Sequence, residues 1–320
     1  MRVLVTGGAG YIGSVVTRQV LAAGHQAVVF DNLVTGHREA VPAGVPFVEA
    51  DTRDGAAVRG CLRDYGVEAV VHMAAISQVG TSVVQPRLYF ENNVQGGLSL
   101  FNAMVDEGVL RLVFSSTAAV YGEPEVVPVD ESAPTLPTSP YGDTKLFLET
   151  VLRRYGTAYG MKSASLRYFN AAGAHPEAGE DHQPETHLVP LVLEAALGRG
   201  PGLRVFGTDY PTPDGTAVRD YLHVLDLAAA HLLALDATAD RSVTYNLGSG
   251  TGFSVKEVIE AARRVTGRAI PVALAPRRAG DPAVLVASSR RIRAELGWSP
   301  QFDDIEVIIE SAWRWARRRA

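Results

Sequence analysis

Tyr141 and Lys145 lie four residues apart, directly after Pro140. Proline suits the first turn of a helix, and a spacing of four puts both side chains on one face. A lysine ammonium beside a phenol favours the phenolate and draws tyrosine from its ordinary pKa of about 10 toward the working pH. The result is a general base that can take a hydroxyl proton while a hydride leaves the same carbon. A Tyr-x-x-x-Lys pair alone is ordinarily a helix-surface pair, so its weight depends on what lies upstream. There, Phe114-Ser115-Ser116-Thr117 closes an apolar run that reads as a strand. The Thr117 hydroxyl is placed to hydrogen-bond a substrate oxygen and assist proton transfer. Ser115 and Ser116 are placed for backbone or cofactor contacts.

Further upstream, Thr6-Gly7-Gly8-Ala9-Gly10-Tyr11-Ile12-Gly13 follows an apolar strand and opens a helix. Gly7, Gly10 and Gly13, spaced by three, allow a tight turn, close approach of backbone to a pyrophosphate, and packing of helix on strand. The helix N-terminus presents free N–H groups to the phosphates. Asp31 ends the second strand and is placed to accept hydrogen bonds from the adenosine ribose. Its charge opposes a 2′-phosphate, so NAD is expected rather than NADP; Arg38 lies seven residues on, in a loop. Asp51, just past the third strand, is placed to meet the adenine. The positive charge of an oxidised nicotinamide would favour the Tyr141 phenolate further.

The elements that must carry these groups are short β-branched runs at Val3–Thr6, Ala27–Phe30, Pro46–Glu49, Ala69–Met73 and Leu112–Ser115. Helical stretches separate them, Ser14–Ala23, Ala56–Tyr65 and Val94–Glu107 among them. Apolar strands without alternation imply burial on both faces and a parallel sheet. The pattern predicts an α/β chain with a doubly wound parallel sheet, the Rossmann arrangement, and a second, smaller α/β substrate domain. The cofactor domain is expected over 1–170, receiving about 220–250 as well, and the substrate domain over 171–320, discontinuous in sequence. Helices are expected near Leu188–Leu197 and Val224–Leu235, with Thr244–Leu247 returning as a strand to the first sheet. The arginine-rich tail 314–319 reads as the end of a helix whose cations suit its negative pole.

The 320 residues, 47% hydrophobic and 20% charged with a mean hydropathy of +0.06, describe a soluble protein too long for one comfortable core. A net charge of −5 removes a bulk electrostatic case for nucleic acid. The single cysteine, Cys61, rules out an internal disulfide framework and fits a reducing compartment. No apolar run is long enough to suggest a membrane span, and the short stretch after Arg2 starts the fold rather than a leader. A cytoplasmic location is expected.

With these motifs the chain resembles the extended short-chain dehydrogenase/reductase family, in particular its epimerases of nucleotide-linked hexoses. Finer matches are Tyr11-Ile12, Asp31-Asn32-Leu33, Asn92-Asn93-Val94, Val120-Tyr121-Gly122 and Ser139-Pro140-Tyr141-Gly142. Others are Arg167-Tyr168-Phe169-Asn170, Gly207-Thr208-Asp209-Tyr210-Pro211-Thr212 and Arg219-Asp220-Tyr221-Leu222-His223-Val224. Ala275-Pro276-Arg277-Arg278-Ala279-Gly280-Asp281 completes the series.

The resemblance implies inversion at C4 between UDP-galactose and UDP-glucose, through a 4-keto sugar, with tightly held NAD and a homodimer. It gives cofactor contacts to Tyr11, Ile12, Asn32, Thr52, Met73, Ala74, Ala75, Asn92, Ser115 and Tyr168 besides the glycines, the two aspartates, Tyr141 and Lys145. Arg219 and Arg278 match its diphosphate positions, with Asn170 and Asp281 as polar partners and Leu188 beside the nucleotide. Bidentate guanidinium geometry suits a phosphate that cannot be buried unpaired.

Two positions depart from the family. Ser77 stands where its best-known enzymes carry a lysine near the cofactor, and His187 where they carry an asparagine on the nucleotide. A 4,6-dehydratase would need an Asp-Glu pair after the strand-end threonine, and here Ala118 and Ala119 follow Thr117. A non-catalytic NAD-binding sensor would have no use for Tyr141 and Lys145. His175, His182 and His187 crowd a loop with Glu180, Asp181 and Glu185, but histidine spacings of seven and five match no compact zinc signature. That loop is expected to be solvated, with one nucleotide contact and no metal.

Overall fold

The computed structural model describes every residue except Pro201, Ala279, Gly280 and Ala320, so two positions of the last motif lie outside the described residues. The chain forms two compact units, Met1–Gly122 with Thr135–Arg167 and Ala228–Tyr245, and Glu123–Pro134 with Tyr168–Leu227 and Asn246–Ala320.

In the first unit lie β1 (Arg2–Thr6), β2 (Gln26–Asp31), β3 (Phe47–Glu49), β4 (Ala69–His72), β5 (Arg111–Thr117) and β6 (Lys162–Tyr168). With Val243–Leu247 they form one seven-stranded sheet, ordered β3-β2-β1-β4-β5-β6 and then Val243–Leu247. The pairs β1–β2, β1–β4, β2–β3 and β4–β5 are parallel. The order reverses between β1 and β4, the crevice where ligands sit in such sheets. Val3, Leu4 and Val5 are wholly buried, as the unalternating pattern requires. One face of the sheet packs Leu4, Phe30, Val70, Leu112 and Phe114 against Leu62, Leu100, Phe101, Met104 and Leu148 of three helices, Gly55–Asp64, Gln95–Asp106 and Pro140–Tyr159.

Two boundaries moved in ways that matter. The first helix begins at Tyr11, three residues before the expected Ser14, because Gly10 is already its N-cap and Gly13 sits inside its first turn. β5 runs on through Ser116 to Thr117 rather than stopping at Ser115.

The second unit includes Glu123–Pro134, a segment that composition alone gave to the first. Long-range pairing holds it there: Val129 bridges to Ala287, with Val129 N–H donating to Val286 O and Ser288 N–H to Val129 O. The unit's central strand is Val218–His223, flanked by Gly252–Ser254, Val284–Leu285 and Asn170–Ala172. Leu203–Phe206 and Val272–Ala275 form a separate parallel pair. Val192, Leu193, Tyr221, Val258, Ile259, Ile308 and Ile309 close its core between the helices Leu188–Ala196, Val255–Thr266 and Ile305–Arg318.

Candidate active site

The turn after β1 is set by contacts that exclude a side chain. Gly7 has φ +70°, and a Cβ there would lie 2.6 Å from Ala74 N. A Cβ on Gly13 would lie 2.0 Å from Gly7 O, so the helix packs on the turn only because position 13 is bare. Gly10 differs: an added Cβ would meet only Gly7 O, at 3.3 Å. Nothing else in the fold crowds that position, so its bareness leaves open surface at the helix N-terminus, as close approach of a phosphate requires. Tyr11 and Ile12 fill the first turn. β4 ends over the same turn, where Met73 N–H donates to Thr6 O at 3.1 Å and Ala74 lies against Gly7, with Ala75 next in the chain.

Asp31 ends β2 and is 7% exposed. Its Oδ2 accepts from Ala9 N at 3.0 Å and its Oδ1 from Leu33 N at 2.9 Å. Burial raises its pKa and these backbone bonds oppose the rise. A carboxylate offers about four acceptor sites, so acceptor capacity remains for a diol after the loop has been tied. Asn32 donates to Asp51 Oδ2 at 2.9 Å, and Arg53 pairs with Asp51 at 2.8 Å. Chiefly through the Arg53 hydrogen bond, the Asp51 pKa is held down at about 2. Thr52 packs against the helix through Gly96, where a Cβ would lie 2.6 Å from its Oγ1.

Tyr141 and Lys145 occupy the first turns of the helix Pro140–Tyr159, which Ser139 caps by accepting from Gly142 N at 3.2 Å. Gly142 presses on the turn after β5, where a Cβ would come 2.7 Å from Ala119 O. That close approach brings Tyr141, 8% exposed, to the strand end carrying Thr117. Lys145 is 3% exposed and donates from Nζ to Ser115 O at 2.8 Å. Burial pushes its pKa down to about 7. Nζ lies 5.9 Å from the Tyr141 ring centre and 5.0 Å from that of Phe114. Thr117 Oγ1 accepts from Ala119 N at 3.1 Å, capping the short turn Ala118–Tyr121, and still carries a hydroxyl proton to donate. The buried Ser115 Oγ has no hydrogen-bond partner among the described residues. Such an orphan at the carboxyl end of β5 needs a group from outside the chain, and a nicotinamide cofactor would supply one.

Two buried positioning clusters rest on contacts that the motif strings, although they include Asn93 and Arg167, do not show. Asn93 accepts from Ile76 N at 2.9 Å and donates to Ile76 O at 3.0 Å and Thr144 Oγ1 at 3.2 Å, locking the chain after β4 to the catalytic helix. Asn92 donates to Asn93 Oδ1 at 3.1 Å. Glu149 takes two bonds from Arg167, at 2.9 and 2.6 Å, and one from Ser116 Oγ, while Arg167 donates to Tyr121 Oη at 2.9 Å. This network ties β5, β6 and the catalytic helix together beneath Thr117. His72, wholly buried and accepting or donating with Thr6 Oγ1 at 2.7 Å, is pushed down to about 3 by burial and stays neutral.

The remaining expected residues belong to the second unit. Tyr168 and Asn170 stand on either side of the passage from β6 to the strand Asn170–Ala172. Arg219 pairs directly with Asp281 and donates from Nη1 to Val218 O at 2.7 Å. Arg278 stacks 4.0 Å from the Phe206 ring centre, and Arg277 lies 4.3 Å from that of Tyr210 while pairing with Asp209 at 2.8 Å. His187 caps the helix that Leu188 begins. Its imidazole is already engaged, with Nδ1 2.7 Å from Glu185 Oε1. Glu180, His182, Glu185 and His187 each bring one ligand-capable atom within 4.8 Å of the others. The histidine spacings alone hide this gathering, because each histidine follows a glutamate by two residues.

Residues 3–248 match the model of the NAD dependent epimerase/dehydratase family. A UDP-glucose 4-epimerase of Corynebacterium glutamicum is 53% identical over 314 residues, covering 98% of this chain and 95% of its own. One from Lacticaseibacillus casei is 51% identical over 320 residues, covering 98% and 96%. The crystal structure of the Brucella ovis UDP-glucose 4-epimerase in complex with NAD superposes with a TM-score of 0.95 at 45% identity, covering 98% of this chain and 97% of that one. The Bifidobacterium longum enzyme with NAD⁺ and UDP gives 0.95 at 37% identity, covering 99% and 98%. The chain therefore belongs to the NAD dependent epimerase/dehydratase family and groups there with the UDP-glucose 4-epimerases.

Proposed function

We propose that this protein interconverts UDP-galactose and UDP-glucose by inverting C4 of the hexose through a 4-keto sugar. The observation that carries the reading is the buried Lys145 ammonium, fixed on Ser115 O one helical turn from Tyr141, in a sheet whose first turn is bared for a dinucleotide. Bound NAD would supply a reversible hydride acceptor for C4 of the hexose. Gly7, Gly10, Gly13, Tyr11 and Ile12 would hold its pyrophosphate. Asp31 would take the ribose, and Asn32, Asp51 and Thr52 the adenine end. Met73, Ala74, Ala75, Asn92, Ser115 and Tyr168 would complete its contacts.

Tyr141 takes the 4-hydroxyl proton as the carbonyl forms and gives it back when C4 is reduced again, so the cycle has no net redox or proton change. Lys145 stabilises the phenolate, and Thr117 holds the sugar oxygen with its free hydroxyl proton. Arg219 and Arg278 take the diphosphate. Asp281 orients the Arg219 fork, whose five N–H groups leave donors to spare. Asn170 and Leu188 serve the nucleotide, with His187 beside them.

A homodimer and a cytoplasmic location belong to the same proposal. Exposed Val83, Val84, Phe90 and Phe147 on packed neighbouring helices support the first, and the lone buried Cys61 supports the second. Among the described residues no helix is long and apolar enough to cross a membrane. Incubation with UDP-galactose and no added cofactor tests the activity. UDP-glucose should accumulate to equilibrium, and its absence from protein with NAD bound would sink the proposal.

A further inference from the structure

The loop before the helix Leu188–Ala196 carries Glu180, His182, Glu185 and His187, all half-buried. His182 Nδ1 lies 2.6 Å from Glu180 Oε1, and His187 Nδ1 lies 2.7 Å from Glu185 Oε1 and 4.0 Å from Glu180 Oε2. The two imidazole rings are 6.0 Å apart, centre to centre. Two carboxylates this close repel unless positive charge lies between them, and the cluster's geometry offers one inward atom from each of four side chains.

The frame around the cluster is fixed. Glu185 Oε1 accepts from Thr186 N at 2.6 Å and from His187 N at 2.7 Å, and Glu180 Oε1 from Asp181 N at 3.1 Å. The loop is bolted to the helix Ile305–Arg318 and the residue after it. Trp315 Nε1 donates to Glu180 O at 3.1 Å, Arg319 pairs with Asp181, and Gly179 lies so close to the indole that a Cβ would come 2.5 Å from Cδ1. Carboxylates oriented by backbone N–H groups on a packed frame are what a bound ion needs from its surroundings.

We propose that Glu180, His182, Glu185 and His187 bind one Zn²⁺ ion that fixes this loop and the start of the helix Leu188–Ala196. Two imidazoles and two carboxylates make a four-coordinate nitrogen and oxygen set, which suits zinc at about 2.0–2.2 Å from each ligand. Calcium and magnesium prefer oxygen ligands in larger number, and imidazole selects against them. Tetrahedral zinc sets its ligand atoms about 3.3–3.6 Å apart, so the two histidine–glutamate pairs at 2.6 and 2.7 Å would open around the ion and the wider pairs, all within 4.8 Å, would close on it. The ion is structural, and it would take the His187 imidazole for the loop, leaving Asn170 and Leu188 to the nucleotide.

The test is metal binding rather than turnover. The purified full-length protein is stripped with a chelator, confirmed folded by circular dichroism, and titrated with Zn²⁺ against a chromophoric competitor. One equivalent per chain should bind with submicromolar affinity and raise the thermal midpoint. His182→Asn and Glu185→Gln should each weaken binding at least about a hundredfold and abolish the thermal shift. X-ray absorption should show only nitrogen and oxygen neighbours. Failure of the wild-type protein to bind Zn²⁺ at 10-fold molar excess, or undiminished affinity in both variants, would overturn the site and leave the four side chains as two imidazolium–carboxylate pairs. Preference for Ca²⁺ or Mg²⁺ over Zn²⁺ would also overturn it.

Discussion

Lys145→Met exchanges a buried ammonium for an apolar chain of similar length. Its consequence for stability can be worked from the structure. Lysine in an unfolded chain titrates at 10.5, and burial of Lys145 brings it to about 7. Below pH 7 the group is charged in both states, and the folded protein bears the full cost of a buried charge. Above pH 7 the folded protein releases the proton while the unfolded chain keeps it up to 10.5. The unfolded state then binds more protons, so stability rises with pH across that window. The whole gap corresponds to about 5 kcal/mol, of which about 3 kcal/mol falls between pH 6 and 9. The positive nicotinamide of NAD would push the lysine further in the same direction, whereas the Tyr141 phenolate formed in turnover would draw it back toward the ammonium.

Methionine carries no such pH dependence, although it removes the hydrogen bond to Ser115 O at a cost of about 0.5–1.5 kcal/mol. Urea unfolding of both proteins from pH 6 to 9, with NAD at the same saturating concentration, reads the difference. The variant should be the more stable at pH 6 and lose about 3 kcal/mol of that advantage by pH 9, while its turnover collapses throughout. Stability curves that run parallel across this range would refute the reasoning, because Lys145 would then titrate as an ordinary exposed lysine.

Gly13→Ala sets a Cβ 2.0 Å from Gly7 O, so the first helix must shift off the turn. We expect a loss of at least about 1–3 kcal/mol and a sharp fall in NAD content, read by absorbance of the released dinucleotide. Arg167→Met leaves Glu149 buried without its cation, at about 3–5 kcal/mol. Adding Glu149→Leu should recover much of the melting temperature but not the activity, since Ser116 and the strand end lose their common anchor.

The chemistry carried by neighbouring residues was legible in the sequence. The glycine turn is a local backbone demand, and Tyr141 with Lys145 is a spacing on one helix. Both follow from periods of three and four that need no tertiary knowledge. Gly142 was quoted only as part of a motif, yet it sets the distance between the catalytic helix and Thr117, through a backbone oxygen more than twenty residues away. Asn93 and the Glu149–Arg167 pair were equally silent, because their partners come from other strands and helices. The start of the first helix was set too late because two glycines looked like loop. The loop at 180–187 was read from its histidine spacings, with Glu180, Asp181 and Glu185 noted beside them, and spacing alone does not say which side chains meet. Only the fold shows that the four side chains converge.

On the proposed mechanism the C4 hydrogen leaves and returns as a hydride within one site, while Tyr141 handles only the hydroxyl proton. Conversion of UDP-galactose carrying deuterium at C4, run in ordinary water and analysed by mass spectrometry and NMR, tests it directly. The UDP-glucose formed should still carry the deuterium on C4. Replacement of that deuterium by solvent hydrogen would mean that C4 is deprotonated rather than oxidised, and would contradict that mechanism.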